Sequence, residues 1–184
     1  MFIFEQGDFE KYNKFAKLEE ATEPVKKSYG DIRKTTVFIS HKHEDLEDLK
    51  GLIGFLENTY NVQAYIDGWD KLMPDKTSGE TARRIKSKIR KCDKFILLAT
   101  DRAVESKWCN WELGFGDARK FRKNIALFPM KAKGSRDDLY KGNEYLSIYP
   151  YIIRESYNGS SASGYYVCSD DNCTTIPLED WFIM

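Results

Sequence analysis

Residues 94–116 read KFILLATDRAVESKWCNWELGFG. After Lys94 the segment KFILLAT is apolar without alternation, the pattern of a strand covered on both faces. Ser106 then stands as a candidate N-cap for a helix over ESKWCNWELGFGDARKF, residues 105–121. A doubly covered strand followed by a helix is half of a parallel-sheet unit, because parallel neighbours need a crossover between them. The fold therefore depends on whether the unit recurs.

It recurs on both sides. TTVFIS (35–40) is a β-branched and aromatic run, followed by Leu46, Leu49, Leu52, Ile53, Leu56 and Tyr60 at helical spacing. NVQAYID (61–67) is a second strand candidate, and GWDKLMPDKTSGE (68–80) reads as a long loop. TARRIKSKIRKC (81–92) is a basic helix with Ile85 and Ile89 four apart. NIALFPM (124–130) makes a fourth strand, and YLSIYPYII (145–153) holds a short fifth. Strand and helix alternate over 35–130, which predicts a flavodoxin-like α/β three-layer sandwich with a central parallel sheet of about five strands.

Two segments flank this unit. Near the start, Phe9, Tyr12, Phe15, Ala16 and Leu18 are spaced for an amphipathic helix, broken near Pro24. It either packs on the main domain or forms a partner-binding arm. After Arg154 comes the turn NGSSASG, and then YYVCSDDNCTTIPL (165–178), two short strands around SDDN. The expected boundaries are 1–34 for a helical extension, 35–154 for the α/β domain and 155–184 for a hairpin extension.

Composition excludes several classes. With 184 residues the chain suits one domain with extensions, and 41% hydrophobic content with 14% aromatic supplies a core. The 29 basic and 29 acidic side chains cancel, so no bulk charge draws the chain to nucleic acid or anionic lipid. Low net charge also makes self-association easy. No apolar run approaches the ~20 residues of a membrane span, and MFIF before Glu5 is short of a secretory core, so a cytoplasmic protein is expected. Cys92, Cys109, Cys168 and Cys173 do not resemble a disulfide framework. His41 and His43 merely flank Lys42, and two ligands rarely hold a metal, so none is expected.

Ligands of open α/β sheets bind beyond the carboxyl ends of the strands, where strand order reverses. That rule selects Ser40, His41, Lys42 and His43 after the first strand, residues 67–79 after the second, and residues 100–106 leading to Glu112. Around Glu112 the helical neighbours are Trp108, Cys109, Phe115 and Gly116. Trp108, Cys109 and Phe115 are apolar or small, and Gly116 is expected to open space beside the carboxylate. An acid against aromatic walls loses hydration, and its field on a nearby cation strengthens. A structural acid is the competing reading.

These residues also carry a resemblance. TTVFISHKHED resembles the first strand and loop of Toll/interleukin-1 receptor (TIR) domains, and KCDKFILLATDRAVESKWCNWELGFG resembles their third strand and following helix. The family signature Ser-x-x-Trp-Cys-x-x-Glu-Leu is matched residue for residue from Trp108 through Cys109 and Glu112 to Leu113, while Ser106 stands one residue closer to Trp108 than the signature has it. The resemblance covers about residues 35–150. It implies one of two activities. Many TIR domains cleave NAD at the nicotinamide–ribose bond with the signature glutamate, here Glu112. Small bacterial TIR proteins of antiphage defence make a cyclic or conjugated ADP-ribose that activates a separate effector. Other TIR domains are non-catalytic adaptors that act by association with further TIR domains. On the first implication NAD is a substrate and no cofactor is needed.

Further roles stay open. Ser40, His41, Trp69, Trp108 and Cys109 are candidate substrate-binding residues. Ser40 and His41 would meet ribose or phosphate, although His41 and His43 also read as solvated loop residues. Trp69 would stack on nicotinamide or adenine, or else belong to an assembly interface. Trp108 and Trp111 read as core or pocket wall, and Arg83 and Arg84 as diphosphate contacts or a solvated face. Departures from the family lie in HKHED, where an aromatic or arginine is common beside the serine, and in the long loop holding Trp69. A phospho-receiver is set aside, because Glu44 and Asp45 already enter the helix.

Overall fold

The computed structural model describes residues 3–15, 33–66, 78–120, 122–135, 144–156, 163–169 and 174–184. In chain order the strands are β1 (Phe4–Glu5), β2 (Thr36–Ser40), β3 (Gln63–Tyr65), β4 (Lys94–Ala99), β5 (Ile125–Lys131), β6 (Tyr151–Ser156), β7 (Ser163–Ser169) and β8 (Thr174–Pro177). The helices are α1 (Leu46–Tyr60), α2 (Gly79–Lys91), α3 (Asp101–Glu105), α4 (Lys107–Lys120) and α5 (Leu178–Ile183). The sheet runs β3-β2-β4-β5-β6-β7-β8. Pairs from β3 to β6 are parallel, and β6–β7 and β7–β8 are antiparallel.

The five parallel strands are those that the alternation predicts. The hairpin strands β7 and β8 also form, but they extend the same sheet. Residues 170–173 of their turn, with Cys173, lie outside the described residues, as do Pro24 and most of NGSSASG. Strand β4 is buried at all six positions, as its unbroken apolar run requires.

Period-two alternation divides the core into two layers. Val37, Ile39, Ile96, Leu98, Ala126 and Phe128 face α1, α5 and the N-terminal segment. Phe38, Phe95, Leu97, Ile125 and Leu127 face the layer of α2 and α4, meeting Ile85, Ile89, Cys109 and Leu113. Helix α1 ends at Asn61, whose φ of 52° is the left-handed conformation that asparagine tolerates at a helix end. Helix α2 starts with a reciprocal cap between Ser78 and Thr81.

The N-terminal helix departs from expectation. Its described part is a 3-10 helix, Glu10–Phe15, preceded by β1 pairing with Met130 and Lys131 of β5. Local anchors explain this. Asp48 accepts from the Gly7 amide at 2.8 Å and from Gln6 Nε2 at 3.0 Å, while Gly7 turns with φ of 95°. Phe4 stacks on Phe128 at 4.4 Å, and Phe9 lies 4.9 Å from Phe55. Of the two readings of this segment, its described residues take the packed one.

Gly51 makes that docking possible, because a Cβ there would stand 2.7 Å from the Phe9 carbonyl oxygen. Backbone cannot yield as a side chain can. Gly51→Ala is therefore expected to lower stability by about 1–2 kcal/mol, since overpacking outweighs the ~1 kcal/mol gain in helix propensity. A urea unfolding curve measures it. A variant at least as stable as the parent would contradict the docking.

Candidate active site

The connections from β2 run first to β3 on one side and then back to β4 on the other. Strand order reverses between β2 and β4, and the rule for open α/β sheets places the ligand crevice at their carboxyl ends. Ser40 ends β2, Thr100 follows β4, and α4 descends beside them.

Alternation decides which way Ser40 points. It shares the face of Phe38, toward the layer of α4. There its Oγ donates to Glu112 Oε2 at 2.5 Å, with both residues 1% exposed. A carboxylate taken out of water needs such donors to persist.

The signature spacing now has a physical account. Ser106 caps α4, its Oγ accepting from the Cys109 amide at 3.3 Å. Cys109 Sγ donates to the His41 carbonyl at 3.3 Å, which ties the turn after β2 to the helix. Glu112 follows on the same face one turn later, beside the buried Leu113. Gly116 comes one turn further, where a Cβ would stand 3.1 Å from Phe95 Cδ2. The space it leaves is thus taken by the Phe95 ring, which corrects the expectation that it opens room beside the carboxylate. Its effect is to let α4 approach β4 closely enough for Glu112 to reach Ser40.

Ser40, His41, Cys109 and Glu112 are therefore brought together. His41 is 9% exposed, which corrects the reading of it as solvated, whereas His43 is exposed. The bond from Cys109 to its carbonyl draws the His41 turn inward. Trp108 lies on the adjacent helix face, half-buried, with its ring 4.9 Å from Trp111. Lys86 Nζ sits 5.4 Å from the Trp111 ring and 5.1 Å from that of Phe115. Arg84 pairs with Glu80 at 2.8 Å and Arg83 is exposed, as a solvated face requires. Trp69 lies outside the described residues.

Sequence reasoning missed a second buried cluster at the same crevice. Asp45 ends a 3-10 turn, His43–Asp45, and is 2% exposed. Thr100 Oγ1 donates to Asp45 Oδ2 at 2.5 Å and accepts from the Ala103 amide at 3.1 Å. Arg102 Nη1 donates to Asp45 Oδ1 at 3.2 Å. The signal available was a threonine directly after a doubly covered strand and an aspartate directly before a helix. Among the described residues no group of three or more His, Cys, Asp or Glu could hold a metal ion, and no helix is long and apolar enough to cross a membrane.

The family model described as TIR domain matches residues 37–152, which include Ser40, Asp45, Thr100 and the whole α4 signature. The chain is also similar to a protein of Bacillus cereus (strain MSX-D12) named "Probable 3' cyclic ADP-D-ribose synthase ThsB'". The two are 30% identical over 150 residues, covering 80% of this chain and 75% of that relative. With the model spanning more than half of its length, and with the signature glutamate seated at the switch point of a flavodoxin-like sheet, this chain belongs to the TIR domain family.

Proposed function

We propose that this chain is an enzyme that cleaves NAD at the nicotinamide–ribose bond, with Glu112 as the catalytic carboxylate. The observation that carries the reading is a glutamate 1% exposed at the switch-point crevice, held there by the Ser40 hydroxyl at 2.5 Å. A buried, oriented acid that faces the place where ligands bind suits electrostatic catalysis better than bulk stability. The name of the Bacillus cereus relative supports a cyclic ADP-ribose product for this chain as well.

One carboxylate suffices for this chemistry. Glycosidases use two acids, since their leaving oxygen must be protonated. The nicotinamide of NAD is already a pyridinium. When the ribose C1′–N bond breaks, its electron pair stays on the nitrogen and nicotinamide departs neutral. The ribose ring is left as an oxocarbenium-like cation. Glu112 stabilises that charge in a medium of low dielectric. Ser40 holds the carboxylate in place before the charge develops, and His41 and Cys109 shape the adjoining wall. Because Glu112 is almost fully covered, rim side chains must part before ribose reaches it.

A nucleophile then captures C1′ and gives up its proton to solvent. Water yields ADP-ribose, and an oxygen or nitrogen of the same molecule yields a cyclic isomer. The reading extends to a bacterial antiphage role, in which a cyclic or conjugated ADP-ribose activates a separate effector and the TIR domains work by self-association. The test is to incubate concentrated protein with NAD and separate products by liquid chromatography with mass detection. Nicotinamide release with a second product one water lighter than ADP-ribose is expected. No release at high concentration would favour the adaptor reading instead.

A further inference from the structure

A cavity of about 360 Å³ opens at the opposite end of the strands, beside the amino ends of β2 and β4. Its walls include Arg33, Lys34, Asp93, Lys94, Phe182 and Ile183. Lys94 is the first residue of β4, whereas Glu112 is held at the carboxyl end of the neighbouring β2. At ~3.3 Å per strand residue the two ends of β4 lie roughly 17 Å apart, so this cavity is separate from the proposed NAD site.

Lys94 is the unusual wall residue, at 2% exposure. Burying an ammonium costs several kcal/mol unless opposite charge and hydrogen bonds compensate it. Its contacts are neutral. Nζ donates to Asn124 Oδ1 at 2.8 Å and lies 4.8 Å from the Trp181 ring. Its sequence neighbour Asp93 is committed elsewhere. One Asp93 oxygen pairs with Arg33 at 2.6 Å, and the other accepts from the Thr36 amide at 2.9 Å and hydroxyl at 2.8 Å. Burial, with the nearby Lys123 charge, holds the Lys94 pKa below the ordinary lysine value, whereas Asp93 pulls it back only in part.

The side chains of this wall, three cations and one engaged carboxylate, sum to +2, and Met184 also lines it. A phosphate monoester carries about −1.5 to −2 at neutral pH and presents three acceptor oxygens. Lys94 offers a preplaced donor, Lys34 an exposed one, and Ile183, 82% exposed, an apolar lip for an organic group. The volume falls within the range of about 300–1,000 Å³ typical of small-molecule sites. We infer that this basal cavity binds a small phosphate monoester carrying an organic group, with Lys94 as the central anion contact.

Calorimetric titrations of the full chain with AMP, inorganic phosphate and adenosine test this. AMP is expected to bind at one site, phosphate more weakly, and adenosine not at all. Lys94→Met should cut AMP affinity at least about tenfold, the loss expected when a desolvated cation is removed from its anion. Lys34→Gln, at an exposed position, should cost about threefold. Ser40→Ala should leave AMP affinity unchanged if the basal cavity is the site. Equal binding of adenosine, full AMP affinity in a folded Lys94→Met variant, or loss on Ser40→Ala would overturn the assignment. Should Lys94→Met not fold, unchanged affinity in Lys34→Gln would overturn it, as would no AMP binding up to about 5 mM.

Discussion

Glu112→Gln is expected to lower nicotinamide release from NAD by about 10²–10³-fold while leaving the unfolding temperature within a few degrees of the parent. The two halves of the prediction have separate causes. Glutamine has nearly the shape of glutamate, and its carbonyl oxygen still accepts from Ser40 Oγ, now at 2.5 Å from Glu112. Removing a charge from a site 1% exposed also removes a desolvation cost, so folding loses little. The transition state, by contrast, loses the Glu112 charge that stabilises it. A purely structural acid reverses the pattern: stability falls and turnover follows the folded fraction. Turnover per folded molecule, read beside a thermal melt, separates them. Turnover equal to the parent in a well-folded variant would sink the catalytic assignment.

Some of this arrangement is legible in the sequence because it rests on periodicity. The apolar run of β4, the spacing of Leu49, Leu52, Ile53 and Leu56 in α1, and the cap at Ser106 each have one stable solution, and each forms. The switch-point rule then places Ser40 and Glu112 at one crevice. What stays hidden lacks a period. Strand β1 is two residues long and exists because Asp48 and Phe128 anchor it from far along the chain. Helix α5 follows a proline and a β-branched run that reads as strand. It forms because Trp181 is buried and its Nε1 donates to the Lys123 carbonyl at 2.8 Å. Buried polar residues are hidden for a related reason. Asp45 in HKHED looks like a solvated helix start, and only the sheet order reveals that Thr100 stands opposite it.

Asp45→Ala is expected to destabilise the protein by about 1–3 kcal/mol and lower its unfolding temperature by several degrees. The Asp45 side chain is fully covered, and its two oxygens serve different partners. Thr100 is buried at 3% exposure, so its hydroxyl would lose a charged acceptor with no water to replace it. Arg102 is 60% exposed and regains solvent on release, which is why Arg102→Ala should cost under about 1 kcal/mol. Thr100→Val should approach the aspartate variant, because it removes the same hydrogen bond and also the N-cap of α3. A double-mutant cycle is accordingly expected to give a larger coupling for Asp45 with Thr100 than for Asp45 with Arg102. Coupling of the opposite order would place the energy in the ion pair. The Asp45–Thr100 bond joins the turn after β2 to the residue after β4, the two strands between which chain order reverses. Loosening it should move Ser40 relative to Glu112. NAD turnover per folded Asp45→Ala molecule should therefore fall while Arg102→Ala keeps its rate, and equal rates in both would confine Asp45 to stability.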